Sequence, residues 1–125
     1  MLDKSKIMSF VATTDGKKAR QFYEKTLGLH FVSGDQFALV FDANGTMLRV
    51  QRVEKVDPRA YTSIGWEVDD IAKVVRLLKK RGVRFARYEG MKQDTDGIWT
   101  APSKAKIAWF NDPDGNILSL TEFGE

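Results

Sequence analysis

Two side chains suited to chemistry follow glycine-containing turns at the same spacing. Arg49 lies four residues after Gly45 in FDANGTMLRV, and Ser119 lies four residues after Gly115 in FNDPDGNILSL. Arg49 is a permanent cation whose planar guanidinium can hold a carboxylate or a phosphate through two hydrogen bonds. Glu67 is a carboxylate that could act as a general base if it reaches a substrate proton. Arg49 and Glu67 could instead pair with each other.

The counts of other reactive residue types exclude several kinds of chemistry. The 125 residues include no cysteine and one histidine, His30, so thiol nucleophiles, disulfides and thiolate metal sites are excluded. The net charge of +3 comes from Lys and Arg scattered along the chain, which does not favour nucleic-acid binding. The N-terminal segment lacks the apolar stretch of a signal peptide, and no apolar run reaches the roughly 18 residues of a membrane span. We therefore expect a cytoplasmic protein that binds neither nucleic acid nor membrane.

Two segments have the pattern of capped amphipathic helices. The first begins after Asp15 and ends at Gly28, and the second begins after Asp69 or Asp70 and ends at Gly82. An Asp side chain caps the first turn well, and a glycine readily ends a helix. Apolar residues recur at helical spacing in both segments, namely Ala19, Phe22, Tyr23 and Leu27, then Ile71, Val74, Val75 and Leu78. This similarity indicates two copies of one unit.

Alternating apolar and polar residues predict four strands in each copy. We expect them near 6–13, 29–34, 36–42 and 46–53, and then near 62–68, 83–88, 104–110 and 116–122. Each copy therefore has the order βαβββ, and the fold class is α+β. We expect one domain over 1–125, with module one at about 5–53, a linker at about 54–61 and module two at about 62–123.

The first and last strand of each copy can be divided into two faces, because side chains alternate along a strand. One face is apolar and is expected to be core: Ile7, Val11, Leu48, Val50, Ile64, Trp66, Val68, Leu118 and Leu120. The other face mixes small, polar and apolar side chains: Met8, Phe10, Ala12, Arg49, Gln51, Ser63, Gly65, Glu67, Ser119 and Thr121. Such a mixture is typical of a ligand site, although the solvent side of an antiparallel sheet looks similar.

Three tryptophans are candidates for shaping a pocket. Trp66 falls on the apolar face and is expected in the core, whereas Trp109 could lie on either face. Trp99 lies in the irregular connection over 88–104, where it could cap the site, form a dimer contact or pack locally. The sequence leaves these alternatives open.

The chain resembles a known superfamily in the segments FYEKTLGL, VDDIAKVVRLLKKRGV and FNDPDGNILSL. These segments are similar to the vicinal oxygen chelate superfamily, which includes glyoxalase I, bleomycin-resistance proteins and extradiol dioxygenases. The resemblance implies two βαβββ modules that form a cup-shaped, mostly antiparallel sheet with helices outside, often within a homodimer. Enzymes of this superfamily place His or Glu at four strand positions, which correspond here to Met8, Arg49, Ser63 and Ser119. The resemblance therefore implies a member without the usual metal ligands.

These observations favour a small-molecule binding protein of the glyoxalase/bleomycin-resistance type, with no metal and no cofactor. The expected ligand-binding residues are Met8, Phe10, Arg49, Gln51, Ser63, Glu67, Trp99, Ser119 and Thr121. The expected partners are a small organic ligand, with an anion favoured by Arg49, and a second copy of the chain. The alternative is an enzyme, either a lyase, isomerase or dioxygenase with shifted metal ligands or a metal-free catalyst that uses Glu67. A module that acts through a surface partner is a third hypothesis.

Overall fold

The computed structural model describes residues 1–124 and divides the chain into two compact units. The first unit is Met1–Pro58 and the second is Arg59–Glu125. The boundary falls within the stretch that the sequence predicts as a linker. Each unit contains one four-stranded sheet and one principal helical segment.

The first unit has the predicted βαβββ order. Its strands are β1 (Met8–Thr13), β2 (His30–Gly34), β3 (Ala38–Ala43) and β4 (Thr46–Arg52). A short 3-10 turn (Leu2–Lys4) precedes β1, and helix α1 (Gly16–Arg20) continues as a π-helical segment over Gln21–Thr26. The strand order is β1-β4-β3-β2, and β1 and β4 are parallel while the other pairs are antiparallel.

The helix of the first unit begins where the sequence predicts. The side chain of Asp15 accepts a hydrogen bond from the Lys18 backbone N–H at 3.1 Å, and Gly28 has a φ of 77° just beyond the helical segment. The helical segment buries Ala19 and Tyr23 against the sheet. The Tyr23 ring lies 5.8 Å from the ring of Phe41, so aromatic packing anchors the helix to β3.

The second unit repeats this plan, but its second strand along the chain, at the edge of the sheet, has only two residues. Its elements are β5 (Thr62–Glu67), α2 (Ile71–Lys80), β6 (Trp99–Thr100), β7 (Lys106–Asn111) and β8 (Ile117–Glu122). The strand order is β5-β8-β7-β6, with β5 and β8 parallel. Helix α2 packs against β7 and β8 and buries Ile71, Val75 and Leu78.

Two carboxylates accept hydrogen bonds from backbone N–H groups at the start of α2. Asp70 accepts a hydrogen bond from the Lys73 backbone N–H at 3.2 Å, which decides between the two predicted caps. Glu122 Oε1 accepts a second bond from the Ile71 backbone N–H at 3.0 Å. Together they satisfy two backbone donors that a helix start leaves without intrahelical partners. The role of Glu122 is therefore to tie the end of β8 to α2.

The turn between β7 and β8 has the predicted geometry. Asp112 Oδ1 accepts hydrogen bonds from the backbone N–H groups of Asp114 and Asn116, each at 2.9 Å. Gly115 has a φ of 88°, a conformation that favours glycine. The carboxylate of Asp112 therefore serves turn formation.

The predicted strand over 83–88 is wrong. Among residues 1–124, this segment forms only an isolated bridge from Phe85 to Phe110, followed by a hydrogen bond from Ala86 N to Trp109 O at 2.7 Å. Beyond that point, the backbone makes hydrogen bonds with the side chain of Gln93 and not with a neighbouring strand. Its Nε2 donates to Ala86 O at 2.9 Å and its Oε1 accepts from Tyr88 N at 2.8 Å. A side-chain amide thus replaces the neighbouring strand.

Two further predictions differ from the structure. Ile7 is not a core residue, because β1 begins at Met8 and Ile7 is 79% exposed. Trp99 is not in an irregular loop, since it begins β6 and pairs with β7. The described residues include no helix that is both long enough and apolar enough to span a membrane.

Candidate functional site

A row of small and aromatic residues crosses the sheet of the second unit on the face opposite α2, called here the helix-free face. Ser119 in β8 pairs in register with Gly65 in β5 on one side and with Trp109 in β7 on the other. Paired residues of neighbouring strands point to the same face. The row therefore runs from a position without a side chain, through a hydroxyl, to a large indole ring.

A second row lies two residues further along the same face. Thr121 pairs with Glu67 on one side and with Ile107 on the other, and Ile107 pairs with Trp99 at the sheet edge. The structure therefore places four predicted site residues of this unit on one face, namely Glu67, Trp99, Ser119 and Thr121. The strand pairing does not place Ser63 on this face. The register between β5 and β8 shifts between Thr62 and Ile64, so Ser63 lies in an irregularity of the strand.

Three aromatic rings form a wall along this face. The Trp109 ring centroid lies 5.5 Å from that of Tyr88, in an edge-to-face arrangement, and 6.1 Å from that of Trp99. Such offset and edge-to-face contacts hold rings in defined orientations. Trp66 pairs with Leu120 on the opposite face, as predicted, but it is half-buried and so is not a core residue. We call Tyr88, Trp99 and Trp109 the aromatic wall.

Of the aromatic wall, Trp99 and Trp109 were pocket candidates from the sequence, whereas Tyr88 was not. The assignment of Trp109 was open, although the alternation in KIAWFN places it with Ile107 and opposite the buried Ala108 and Phe110. Tyr88 lies at the end of the predicted strand over 83–88, and the structure forms no strand there, so its place beside Trp109 could not be read from strand alternation. Its position depends on the hydrogen bond from its backbone N–H to Gln93.

The first unit also presents a helix-free face, with a different composition. Arg49 in β4 pairs with Phe10 in β1 and with Val40 in β3, while Met47 pairs with Met8. Phe10 is 49% exposed and Met8 is 42% exposed, so the predicted site residues of β1 are open to solvent. Gln51 lies on the same face, next to Ala12. On this face, the guanidinium of Arg49 therefore lies among exposed apolar side chains.

Asp35, in the turn between β2 and β3, lies within the field of Arg49. Backbone N–H donors from Ala38 and Phe37, at 2.9 Å and 2.8 Å, are the main cause of its lowered pKa, and the charges of Arg49 and Arg52 add to it. The charge of Arg49 thus acts on Asp35 at a distance, without an ion pair between the two side chains in the described residues. The pairing of Arg49 with Glu67 stays a prediction, because those residues belong to different units.

The residues at the four family metal positions do not fit a hard divalent cation. Divalent sites in proteins use carboxylate, imidazole or thiolate donors, whereas these positions carry a thioether (Met8), a guanidinium (Arg49) and two hydroxyls (Ser63 and Ser119). Within residues 1–124, no group of three His, Asp or Glu side chains is arranged to hold a metal ion.

Comparison with known proteins identifies the family. The model of the Glyoxalase/Bleomycin resistance protein/Dioxygenase superfamily matches residues 6–120. No curated protein sequence shows significant similarity to the chain.

Solved structures of the same superfamily share the fold over nearly the whole chain. A bleomycin resistance determinant encoded on the transposon Tn5 is 21% identical, with a TM-score of 0.75 over 98% of this chain and 100% of that chain. Lactoylglutathione lyase from Agrobacterium tumefaciens is 18% identical, with a TM-score of 0.73 over 94% and 93% of the two chains.

A superfamily member from Sphaerobacter thermophilus DSM 20745 is 26% identical, with a TM-score of 0.71 over 93% and 96%. These likenesses agree with the βαβββ order of both units and with the α+β fold class. The chain belongs to the Glyoxalase/Bleomycin resistance protein/Dioxygenase superfamily.

Proposed function

We propose that the chain is a small-molecule binding protein that works without a metal, and that its ligand lies on the helix-free face of the second unit. The observation that carries this proposal is the aromatic wall beside the pair formed by Gly65 and Ser119. Gly65 is exposed and has no side chain, so a ligand can approach the sheet at that point, and the indole rings lie beyond Ser119 on the other side of the row. A planar organic molecule fits such a site, because stacking adds about 0.5–1.5 kcal/mol to the burial of its apolar area.

The family relationship supports binding but does not choose between binding and catalysis. One similar structure is a resistance determinant and another is a lyase, and both share the same fold. Function in such a family depends on the residues of the site. The residue types at Met8, Arg49, Ser63 and Ser119 favour a member that has no metal chemistry.

Catalysis by Glu67 is the alternative. Glu67 lies on the same face as Ser119 and next to Thr121, so a bound molecule could reach its carboxylate. A general base works best when its surroundings adjust its proton affinity, and withdrawal from water is the usual means. Glu67 is instead exposed. Binding is therefore the function we propose, and Glu67 contributes a negative charge at the edge of the site.

The test begins with native mass spectrometry of the purified protein, which detects retained ligands. In parallel, a library of planar organic molecules is screened by quenching of tryptophan fluorescence. For a molecule that binds, Trp99→Ala should weaken the affinity about tenfold, equivalent to about 1.4 kcal/mol and within the range for an aromatic contact. Trp99 lies in a two-residue strand at the sheet edge, so this variant should remain folded.

The matched control is Trp66→Phe, which changes a tryptophan on the opposite face of the same sheet. This variant should bind the molecule as the wild type does. Full affinity in Trp99→Ala together with reduced affinity in Trp66→Phe would contradict the proposed location. Turnover of a bound molecule that is lost in Glu67→Gln would favour the enzyme alternative.

A further inference from the structure

A cleft of about 580 Å³ lies on the helix side of the first sheet, away from the face that carries Arg49. Its lining includes three cations, one carboxylate and two apolar side chains, contributed by Lys17, Arg20, Arg52, Asp35, Phe31 and Leu39. The volume is within the range of small-molecule sites, about 300–1,000 Å³. The cleft lies entirely within the first unit.

Arg52 is oriented by a hydrogen bond and a close backbone contact. Its Nε donates to the Asp35 carbonyl oxygen at 2.8 Å, which ties the end of β4 to the turn between β2 and β3. Its guanidinium lies against Gly16, where the Cβ of any larger residue would come within 2.5 Å of Arg52 Cζ. In the part of the chain that the structure describes, its two terminal nitrogens have no hydrogen-bond partner.

The other two cations differ in how far they are engaged. Arg20 lies over the ring of Phe31, 3.7 Å from its centroid, and Arg20 Nε pairs with Glu24 at 3.1 Å. Lys17 is exposed, and within residues 1–124 its ammonium makes no hydrogen bond or ion pair. Within residues 1–124, the ammonium of Lys17 and the terminal nitrogens of Arg52 have no hydrogen-bond partner. The terminal nitrogens of Arg20 make no hydrogen bond there either, but its guanidinium already lies over the Phe31 ring.

The carboxylate of Asp35 does not neutralise the positive charge of the cleft lining. Asp35 Oδ1 accepts two backbone hydrogen bonds, from Phe37 and Ala38, so its charge is already partly compensated. The cleft keeps a net positive charge beside the half-buried Phe31 ring, with Leu39 buried beneath the lining. A doubly charged anion with an organic body matches both features. A phosphate group offers three acceptor oxygens for an ammonium and a guanidinium at once.

We propose that this cleft is a second binding site, separate from the helix-free faces, for a small phosphate monoester. The phosphate lies between Lys17 and the terminal nitrogens of Arg52, and the organic part lies against the Phe31 ring on the side that Arg20 leaves open. Gly16 belongs to the site because it leaves the space that the Arg52 guanidinium occupies.

The experiment is a titration of ¹⁵N-labelled full-length protein with phenyl phosphate at about 0.15 M salt, where weak surface attraction is screened. Amide signals of Gly16, Lys17 and Asp35 should move together and saturate. Inorganic phosphate, which lacks the organic part, and benzoate, which carries one charge, should each bind more weakly, by about fivefold or more on the basis of the lost contacts.

Three variants distinguish binding at this cleft from a general effect of net charge. Lys17→Gln should weaken phenyl phosphate about tenfold, in line with the loss of a charge-assisted bond, whereas Lys18→Gln makes the same charge change on the next residue and should have little effect. Gly16→Ala keeps every charge but displaces the Arg52 guanidinium, so it should also weaken binding. Its fold should persist, because the displaced group is the end of a flexible side chain.

Equal losses in Lys17→Gln and Lys18→Gln would overturn the proposal, since only net charge would then matter. Unchanged affinity in Gly16→Ala would overturn the role of Arg52. Signals that move only at the Trp99 and Trp109 indole N–H groups would place phenyl phosphate at the helix-free face of the second unit. That result would refute this cleft and leave the proposed function standing.

Discussion

The Ser119 hydroxyl occupies the space that a side chain at Gly65 would need. A Cβ built on Gly65 would lie 2.7 Å from Ser119 Oγ, closer than such atoms approach in proteins, and the two residues are paired in register in parallel strands. Ser119 is 7% exposed. The residue type at one of the four family metal positions is thus coupled to a glycine on the neighbouring strand.

This coupling predicts non-additive stability. Gly65→Ala should lower the free energy of unfolding by about 1–2 kcal/mol, because overpacking typically costs about 1–3 kcal/mol and alanine recovers part of it through backbone entropy. In the background of Ser119→Ala, which lacks Oγ, the same change should be neutral or stabilising. Urea denaturation of the four proteins of this cycle measures the coupling. Equal effects of Gly65→Ala in both backgrounds would show that the hydroxyl is not the obstacle.

Arg49 should favour anionic ligands at the helix-free face of the first unit. The resemblance implies a metal-binding carboxylate or imidazole at this position, and a guanidinium there would reverse its charge. For an anionic ligand found there, Arg49→Ala should weaken binding by about 1.5–3 kcal/mol, the range for a charge-assisted hydrogen bond. Arg49→Lys should recover only part of the loss, because an ammonium cannot form a bidentate fork. Titration calorimetry, with circular dichroism as the folding control, gives the answer, and full affinity in Arg49→Ala would assign Arg49 to charge pairing alone.

The purified protein should contain no stoichiometric divalent metal. Thioether, guanidinium and hydroxyl groups at Met8, Arg49, Ser63 and Ser119 are poor donors for zinc, nickel, iron or manganese. Elemental analysis after exhaustive desalting should find far less than one equivalent per chain. A content near one equivalent, removed by a chelator together with ligand binding, would contradict the assignment.

Asp96 should make the second unit sensitive to acid. A hydrogen bond from Lys79, at 3.1 Å, together with the charges of Lys79 and Arg76, holds the pKa of Asp96 below its ordinary value of 3.8. The folded state therefore binds fewer protons at this site than the unfolded state. Its stabilising contribution is present above about pH 4 and is lost as the pH falls through the lower folded pKa.

In Asp96→Asn, the free energy of unfolding should consequently depend less on pH between about 4 and 2. Chemical denaturation at several pH values provides the comparison. The control is Glu89→Gln, which removes the charge of another exposed carboxylate of the second unit and leaves the contact between Asp96 and Lys79 in place, so it should keep the wild-type dependence. Identical pH profiles for Asp96→Asn and the wild type would show that the contact with Lys79 contributes nothing in solution.

The chain should form a homodimer. The first unit exposes Phe10 and two methionines, Met8 and Met47, that are paired in register on one face, and apolar surface of this kind is usually covered by a partner or a ligand. Light scattering at tens of micromolar should give twice the chain mass of 14.2 kDa. Phe10→Asp should shift the mass toward the monomer, while a monomeric wild type would count against the prediction.

Short-range features could be predicted from the sequence alone. The caps at Asp15 and Asp70, the helix ends at Gly28 and Gly82, and the turn at Asp112 all lie where the pattern indicates. These features depend on hydrogen bonds and backbone conformations within about four residues, so the local sequence contains the necessary information. The caps and turns separate the elements, and hydrophobic periodicity indicates which stretches between them become strands. The order βαβββ could therefore also be predicted.

Only the tertiary structure decided what stands beside Ser119. The aromatic wall depends on the register between β7 and β8 and on where the segment after α2 runs, and neither is a property of neighbouring residues. The alternation over 83–88 predicts a strand. In the structure, the side chain of Gln93, a residue of the same connecting segment, makes hydrogen bonds with the backbone of Ala86 and Tyr88 instead. Long-range pairing is chosen by the total of packing and hydrogen bonds across the unit, and a local pattern contains only part of that total.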